Sequence, residues 1–481
     1  MSAAALFAAI ALYLGALLAV AWHTARRADN QAFFIGNRRS HWALVAFGMV
    51  GTSLSGVTFI SVPGAVGASA FGYFQIVLGH FIGYVVVAFM LLPLYYRLQV
   101  TSIYGVLAQR FGPRSHQTGA ALFIVSRTVG ATARLYLVVN ILQDAVLARL
   151  GAPFWLTAAV VIGLIVLYTL EGGVKTIVWT DTLQTAGMLI GLGLCIHFVL
   201  GALQLAPMQA WAAMSEQGLT TVLGTDGWAR NHWLKQITAG AFIAIAMTGL
   251  DQEMMQKNIS VTTLRDAQKN MLVLATVMLA VVAAFLFLGG LLQLFALHTG
   301  MAERGDRLFP ALVMGHLPAA VQLIFILALI SALFPSADGA LTALTSSTCI
   351  DVLGMHSRAD LSEARRQRIR RRVHLGFAAL FLLAVLGFRW LNDSSMIGLI
   401  LKLAGYTYGP LLGLFAFAVL TRRRVIDAGV PWIALAAPLL SGLIDFNQRA
   451  LFGRYEIGLE LLLLNGAITF AGLWLASTRR D

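Results

Sequence analysis

The sequence predicts an all-α polytopic membrane protein with about 13 transmembrane helices, and three observations support that prediction. Hydrophobic residues make up 59% of the 481-residue chain and charged residues only 11%, whereas soluble domains carry about a quarter charged residues. Apolar runs of roughly 17–25 residues recur along the whole length, each long enough to cross the hydrocarbon as a helix. No stretch has the composition of a soluble domain, so residues 1–481 form a single predicted transmembrane domain.

The apolar runs divide the chain in order. The first covers residues 3–22, and its positive charges follow the apolar stretch, which favours a retained helix over a signal peptide. The other predicted spans are residues 42–66, 70–96, 119–148, 153–170, 180–204, 236–256, 271–298, 317–350, 373–391, 396–421, 430–446 and 456–477.

The formal net charge of +13 is interpreted as a topology signal, not a nucleic-acid-binding signal. Most of the 34 Lys and Arg residues lie between apolar runs, and the positive-inside rule then puts the N-terminus outside and the C-terminus in the cytoplasm. The run RRQRIRRR at residues 365–372 is a predicted cytoplasmic anchor, with a lipid- or nucleic-acid-binding patch as the alternative. The expected location is the plasma membrane, the inner membrane if the protein is bacterial. The lipid bilayer is a predicted partner and nucleic acid is not, while the oligomeric state stays open and a monomer is expected to suffice.

The second span is predicted to be broken. Its segment GMVGTSLSGVTFISVPGAVG, residues 48–67, combines glycines, hydroxyl residues and Pro63 within one membrane crossing. Unwound backbone at membrane depth is tolerated where it lines a cavity or is buried in protein. Small-residue helix packing is the alternative interpretation.

Asp338 lies in a second unusual segment, SALFPSADGALTALTSSTCID at residues 331–351. A carboxylate at that depth costs several kcal/mol unless it meets a cation, a proton or a polar cavity. Asp338 is therefore a predicted functional residue. A structural ion pair with Arg127, Arg134 or Lys402 is the alternative.

The order of the spans suggests an inverted-repeat transporter. The seventh span ends in GLDQEMMQKNIS, five segments after the broken one. Residues 42–204 and 236–421 would be two five-helix repeats, with residues 3–22 as an extra first helix and residues 430–477 as two final helices. The chain shows no phosphate loop, catalytic motif or histidine spacing typical of a metal site, so neither an ATP-driven pump nor an enzyme is predicted.

Three motifs resemble those of the sodium:solute symporter family. The most specific is EGGVKTIVWTDTLQ at residues 171–184, supported by GLDQEMMQK at 249–257 and GYTYGPLLGLF at 405–415. The motifs are most similar to those of the bacterial sialic acid and sugar symporter branches. The resemblance implies the fold of the bacterial leucine transporter, sodium as the coupling ion and the only metal, and a small polar solute as substrate.

The resemblance also implies a main sodium site between the broken helix and the ninth span. The implied ligands are the backbone carbonyls of Gly51, Leu54 and Ala332 and the hydroxyls at positions 335 and 336. Position 335 is Pro335 here, so only Ser336 offers a hydroxyl. Proline leaves a carbonyl one turn earlier without its N–H partner, which makes the Ser331 carbonyl a substitute ligand.

A second cation or proton site is implied at Asp181, Asp338 and Gly339. Asp181 matches the aspartate of the Trp-Thr-Asp motif, whereas Asp338 and Gly339 replace the serines that some relatives use. Two carboxylates that share a small site repel each other unless a cation or a proton lies between them.

The implied substrate cavity lies between five core helices. Its residues would be Ser53, Ser55, Thr58, Tyr73, Gln75, Arg127, Arg134, Asp251, Gln252, Tyr406 and Thr407. An arginine fork suits a carboxylate, so Arg127 and Arg134, which share a helix face, favour an anionic or polyhydroxy solute such as a sugar or sialic acid.

The sequence thus predicts a sodium-coupled symporter that imports a small polar organic solute by alternating access. A proton-coupled symporter that uses Asp338 and Asp181 is one alternative. A non-transporting solute sensor of the same fold is another, and an ion channel is disfavoured because no filter-like segment is visible.

Overall fold

The structure is a computed structural model that describes residues 3–25, 30–147, 151–355, 358, 360–390 and 396–478. Most of these residues are helical, because backbone in lipid must satisfy its own N–H and C=O groups. The helices of the first half are α1 (Ala3–Ala25), α2 (Asn30–Ile35), α3 (Trp42–Ser69), α4 (Tyr73–Val86), α5 (Leu92–Leu98), α6 (Gly105–Arg110), α7 (Pro113–Leu142), α8 (Phe154–Leu203) and α9 (Pro207–Glu216).

The second half continues the helical pattern and ends in a helix pair. Its helices are α10 (Trp233–Ala244), α11 (Gln252–Ile259), α12 (Leu264–Thr299), α13 (Leu308–His316), α14 (Ala319–Ser347), α15 (Glu363–Phe388), α16 (Met396–Thr407), α17 (Gly409–Leu420), α18 (Val430–Phe446), α19 (Gln448–Phe452) and α20 (Leu461–Leu475). π-helical turns at Val87–Leu91, Gln143–Leu147, Ile245–Gly249 and Thr348–Val352 extend α4, α7, α10 and α14. Three 3₁₀ turns cover Gly36–Arg38, Gly305–Arg307 and Asp427–Gly429, and an antiparallel pair joins β1 (Arg424–Val425) to β2 (Ser477–Thr478).

The described residues contain eight helices long and apolar enough to cross a membrane, or up to ten if each of two bent helix pairs is one span. Three shorter apolar helices cover Ala8–Thr24, Phe154–Leu170 and Leu461–Leu475. Helix α8 joins the two spans predicted at 153–170 and 180–204 across a kink at Gly173, where φ is 51°. The all-helical membrane class is confirmed, while the count of thirteen stays a prediction.

The interior of the bundle is built around α3 and α14, the most deeply buried of the long helices. Helix α14 packs along α8, and α3 packs against α12, α8 and α14. Glycines allow other pairs to approach closely: a Cβ on Gly240 of α10 would overlap the Ile76 carbonyl of α4. Helices α15 and α18 lie at the periphery and leave most of their surface exposed.

Three helices are interrupted where they reach the interior. Helix α3 breaks at Ser55, where φ is 43° and ψ is 166°. The α10–α11 pair bends by 64° at the Leu250–Asp251 junction, and α16–α17 bends by 47° at Tyr408. Helical breaks expose backbone groups that a continuous helix would use internally, so these points position the candidate site.

Candidate functional site

The break in α3 depends on small residues packed against other helices. A Cβ on Gly51 would overlap Thr185 Oγ1, and one on Gly56 would overlap Val138 Cγ2. A serine with φ of 43° is uncommon, because left-handed backbone disfavours residues other than glycine. A break of this kind is where a helix can present backbone carbonyls to partners outside itself.

The main sodium site predicted from the resemblance lies where this break meets α14. A Cβ on Gly51 would lie 3.5 Å from Pro335 Cγ, so the two helices touch at this level. Leu54, Ala332 and Ser336 are all buried there. Ser336 Oγ donates to the Leu333 carbonyl over 3.0 Å and keeps its lone pairs available.

The aspartate of the second predicted site forms a buried ion pair that the sequence did not predict. Lys257 Nζ lies 2.7 Å from Asp181 Oδ2 and 2.7 Å from Thr52 Oγ1. Thr52 Oγ1 is itself 3.2 Å from Asp181 Oδ2, and Glu253 Oε1 lies 3.7 Å from the ammonium. Lys257 is 1% exposed, so this cluster is removed from solvent.

Asp338 lies beside this cluster and bonds to a tyrosine. Tyr168 Oη donates to Asp338 Oδ2 over 2.7 Å, and the carboxylate interacts electrostatically with Asp181 and Lys257. A Cβ on Gly339 would overlap Glu253 Oε1 and lie 3.0 Å from Lys257 Nζ. Asp181 and Gly339 are therefore brought to one ammonium group, and Asp338 precedes Gly339 directly in α14.

The ion pairs considered for Asp338 do not form within the described residues. Lys402 Nζ instead lies 3.6 Å from Asp445 Oδ2. Arg127 pairs with Glu253 Oε2 and lies 3.8 Å from Asp251 Oδ2. The position of Asp338 thus favours a role in the cation cluster over a structural pair with an arginine.

The two arginines predicted to bind the substrate have different surroundings. Both line a cavity of about 90 Å³ beside the broken helix. Arg127 is neutralised by the carboxylates of α11 and its N-cap. The guanidinium of Arg134 has no hydrogen bond or ion pair with any residue that the structure describes. Arg134 is therefore the cation left available to a solute.

Six of the predicted substrate residues lie on the wall of this cavity. They are Ser53, Ser55, Thr58, Tyr73, Arg127 and Arg134. The sequence missed other wall residues, which are Thr52, Val57, His80, Tyr84, Ile243, Ala244, Met247, Thr248, Met254, Ile397, Ile400 and Leu401. The wall is thus apolar on the α10 and α16 sides and hydroxyl-rich on the α3 side. This division suits an amphipathic solute with one charged end.

Two predicted glutamines lie away from the cavity because backbone groups hold them elsewhere. Gln75 Oε1 accepts from the Gly224 N–H over 3.2 Å. Gln252 Oε1 accepts from the Ile103 N–H over 3.0 Å, and its Nε2 donates to the Thr101 carbonyl over 3.1 Å. Both amides stabilise loops.

The two residues predicted at the end of α16 also point away from the cavity. Tyr406 Oη donates to Asp445 Oδ2 over 2.5 Å, and Thr407 Oγ1 donates to the Leu403 carbonyl over 2.9 Å. Tyr406 thus faces α18. Tyr408, which the sequence did not single out, points inward from the same break.

Asp251 lies behind the cavity wall, where it organises the second broken helix. Its Oδ1 accepts from the N–H groups of Glu253 over 2.9 Å and Met254 over 3.3 Å and so caps α11. Its Oδ2 accepts from Tyr408 Oη over 2.7 Å. Asp251 is linked to the cavity wall through Arg127, whose Nη1 lies 3.8 Å from Asp251 Oδ2.

Glu253 and Lys257 are the functional candidates that sequence reasoning missed. They lie four residues apart in α11 and so share one helix face. The i, i+4 charge pair next to a predicted membrane break was the available signal. In a solvent-exposed helix the same pair would be unremarkable, and only its burial makes it informative.

Broken helices that meet at a buried ion cluster and a central cavity are typical of secondary transporters. A model of the sodium:solute symporter family matches residues 33–432. The chain belongs to the sodium:solute symporter family, which confirms the resemblance seen in its motifs, and it is a multi-pass membrane protein.

Two bacterial relatives match nearly the full length of the chain, and a human relative matches about four fifths of it. The sodium/sialic acid symporter NanT of Aliivibrio fischeri is 24% identical, over 96% of this chain and 92% of the relative. SiaT of Proteus mirabilis, also a sodium/sialic acid symporter, is 21% identical over 95% and 93%. Human sodium-coupled monocarboxylate transporter 1 is 27% identical, over 81% of this chain and 64% of the relative.

Solved structures show the same fold. A substrate-bound outward-open state of a sodium-coupled sialic acid symporter superposes with a TM-score of 0.84 over 99% of both chains, at 17% sequence identity. A closed, ligand-bound state of the nucleobase-cation-symport transporter Mhp1 gives a TM-score of 0.57 at 14% identity, over 91% of this chain and 92% of the other.

Proposed function

We propose that this protein is a sodium-coupled symporter that imports a small carboxylate-bearing solute by alternating access. Membership of the sodium:solute symporter family supports the sodium coupling and the organic solute. The carboxylate rests on one observation: Arg134 lines the cavity without a carboxylate partner in the described part of the chain, whereas Arg127 has two. A guanidinium binds a carboxylate bidentately and tolerates burial when it is paired.

The names of the relatives agree with this solute chemistry. NanT and SiaT are sialic acid symporters, and the human relative is a monocarboxylate transporter. Sialic acids and monocarboxylates differ in size but share the carboxylate. The hydroxyls of Ser53, Ser55 and Thr58 on the same wall would bind polar groups beyond it.

Sodium would bind between α3 and α14. The proposed ligands are the carbonyls of Gly51, Leu54 and Ala332 and the hydroxyl of Ser336. Pro335 has no N–H to donate one turn back, so the Ser331 carbonyl can add an oxygen. Hard cations prefer several oxygen ligands, and released carbonyls supply them without further charge.

The balance of buried charge favours uptake of a cation. The carboxylates around the cavity and the ion cluster are Asp181, Asp251, Glu253 and Asp338, and the cations facing them are Arg127, Arg134 and Lys257. One negative charge is left over when all are ionised. Because unbalanced charge is costly away from water, an entering sodium ion would lower that cost.

A proton-coupled symporter is the second candidate, and Asp338 is the observation that favours it. A proton on Asp338 would also remove the excess charge, and the carboxylate is fully buried beside Asp181. Sodium remains the preferred ion because the family matches and broken backbone suits a metal cation better than a proton.

The proposal includes the finer architecture. We infer thirteen spans, with repeats at 42–204 and 236–421 whose first helices are the broken α3 and α10–α11. An extra helix precedes the repeats and two helices follow them. The N-terminus would lie outside and the C-terminus in the cytoplasm of a bacterial inner membrane, with the monomer as the working unit.

Uptake by proteoliposomes tests the function. The purified protein would be offered labelled sialic acids, sugars, amino acids and monocarboxylates under an inward gradient of sodium, of choline or of protons. Accumulation of a carboxylate-bearing solute with sodium only is the expected result. Equal accumulation with a proton gradient and no sodium would favour the proton candidate. Solute binding without uptake under any gradient would favour a sensor.

A further inference from the structure

The ammonium of Lys257 lies where a second coupling cation was predicted. The family resemblance implied a second cation or proton site at Asp181, Asp338 and Gly339. Lys257 Nζ is 2.7 Å from Asp181 Oδ2 and would lie 3.0 Å from a Cβ at Gly339. One lysine thus touches both sides of that predicted site.

The surroundings of the ammonium resemble the coordination of a bound cation. Its oxygen neighbours come from three helices: Asp181 of α8, Thr52 of α3 and Glu253 of α11. All these residues are 2% exposed or less. Helix α14 is the fourth element, since a Cβ on its Gly339 would lie 3.0 Å from Lys257 Nζ. A compact point charge with three donors suits such a site.

We propose that the Lys257 ammonium permanently takes the place of a second coupling cation, so that this symporter moves one sodium ion per solute. The inference rests on the proposed function, since it assumes sodium at the α3–α14 site. The tethered charge links α3, α8 and α11 in every state in which Asp181 keeps its partner. It contributes the electrostatics of a second ion without being transported.

The stoichiometry has a consequence for energetics. Each charge moved inward across 100 mV contributes about 2.3 kcal/mol. One sodium ion with one monoanionic solute moves no net charge, so the membrane potential would not drive uptake of a monocarboxylate. The sodium gradient alone would limit accumulation.

Removing the lysine should create a sodium site. Lys257→Ala frees Asp181 Oδ2 and Thr52 Oγ1 and leaves one more negative charge buried. Asp181 Oδ1 and Glu253 Oε1 already lack hydrogen-bond partners within the described residues. The vacated position would therefore be surrounded by carboxylate and hydroxyl oxygens, the ligands that a hard cation prefers.

Equilibrium binding of ²²Na⁺ to the purified protein measures the number of sodium sites directly. We expect one sodium ion per wild-type molecule, two in Lys257→Ala, and one in Lys257→Ala/Asp181→Asn. Lys402→Ala is the matched control, because Lys402 also pairs with an aspartate but is 62% exposed at its side chain, and one ion is expected there. In vesicles, the wild-type uptake of a monoanion should not depend on an imposed membrane potential, whereas uptake by Lys257→Ala should depend on it.

Two results would overturn the inference. Two sodium ions per wild-type molecule would mean that the lysine and a second ion coexist. A folded Lys257→Ala protein that still binds one ion would mean that the ammonium is only a structural partner. If Lys257→Ala does not fold, the number of sodium ions bound per wild-type molecule tests the inference. Absence of both sodium binding and uptake in the wild type would instead count against the sodium symporter itself.

Discussion

Replacement of Arg134 by Gln tests which of the two arginines of α7 binds the carboxylate of the solute. Arg134 lines the cavity without an ionic partner among the described residues, whereas Arg127 pairs with Glu253 and Asp251. We therefore expect Arg134→Gln to fold normally and to keep or increase its sodium affinity, because loss of this positive charge leaves more negative charge beside the cavity. Its affinity for the carboxylate solute should fall.

The size of the loss follows from the bonds that the guanidinium would make. A hydrogen bond to a charged group contributes about 1.5–3 kcal/mol, and about 1.4 kcal/mol corresponds to tenfold in affinity. Arg134→Gln should thus raise the apparent KM of sodium-driven uptake by about 10- to 150-fold. Arg134→Lys keeps the charge but loses the planar fork, so an intermediate increase is expected.

Arg127→Gln is the matched control on the same helix. Removing one partner of a buried ion pair costs about 3–5 kcal/mol because the other charge is left uncompensated. We expect loss of folded protein by size-exclusion chromatography, with recovery in Arg127→Gln/Glu253→Gln.

Wild-type solute affinity in Arg134→Gln would refute the assignment of the carboxylate to Arg134. A stable Arg127→Gln protein with a selective loss of solute affinity would transfer that role to Arg127.

Three further substitutions test the ion cluster and the helix break. Gly339→Ala should lower the melting temperature and the sodium affinity together, because its Cβ would overlap Glu253 Oε1; unchanged thermal melting would contradict the packing. Asp338→Asn keeps an acceptor for Tyr168 but removes a charge, so sodium affinity should fall about tenfold or more, as expected for unit charges that interact by a few kcal/mol. If Asp338→Asn binds sodium with wild-type affinity, Asp338 is only a packing residue. Ser55→Gly should raise the melting temperature, since relief of strained backbone is worth about 1–3 kcal/mol, and a lower melting temperature would show that the hydroxyl outweighs the strain.

The sequence was most informative where a local pattern of residues is compatible with only one kind of backbone structure. Apolar runs long enough for a bilayer can only be helices, because lipid offers no partner to backbone groups. The cluster of glycine, hydroxyl residues and proline at 48–67 predicted a break, and the break occurs at Ser55. Six of the residues that the family resemblance implied for the substrate cavity line it, and all six lie on α3, α4 and α7.

The orientation of individual side chains could not be predicted in this way. Gln75, Gln252 and Tyr406 lie near the cavity in sequence, but competing acceptors and donors in loops and in α18 turn them away. Such competition depends on helix rotation, which sequence periodicity leaves uncertain by tens of degrees when most faces are apolar.

The sequence by itself determined the membrane class, the broken helix and the presence of carboxylates at depth, since each of these follows from local composition. The family followed from the resemblance of its motifs. Only the tertiary structure decided which charges meet. It brought Lys257 of α11 to Asp181 of α8, 76 residues apart, and left Arg134 facing the cavity. The physical reason is that a buried charge needs a partner: the ammonium of a buried lysine is stabilised where a carboxylate from another helix reaches it.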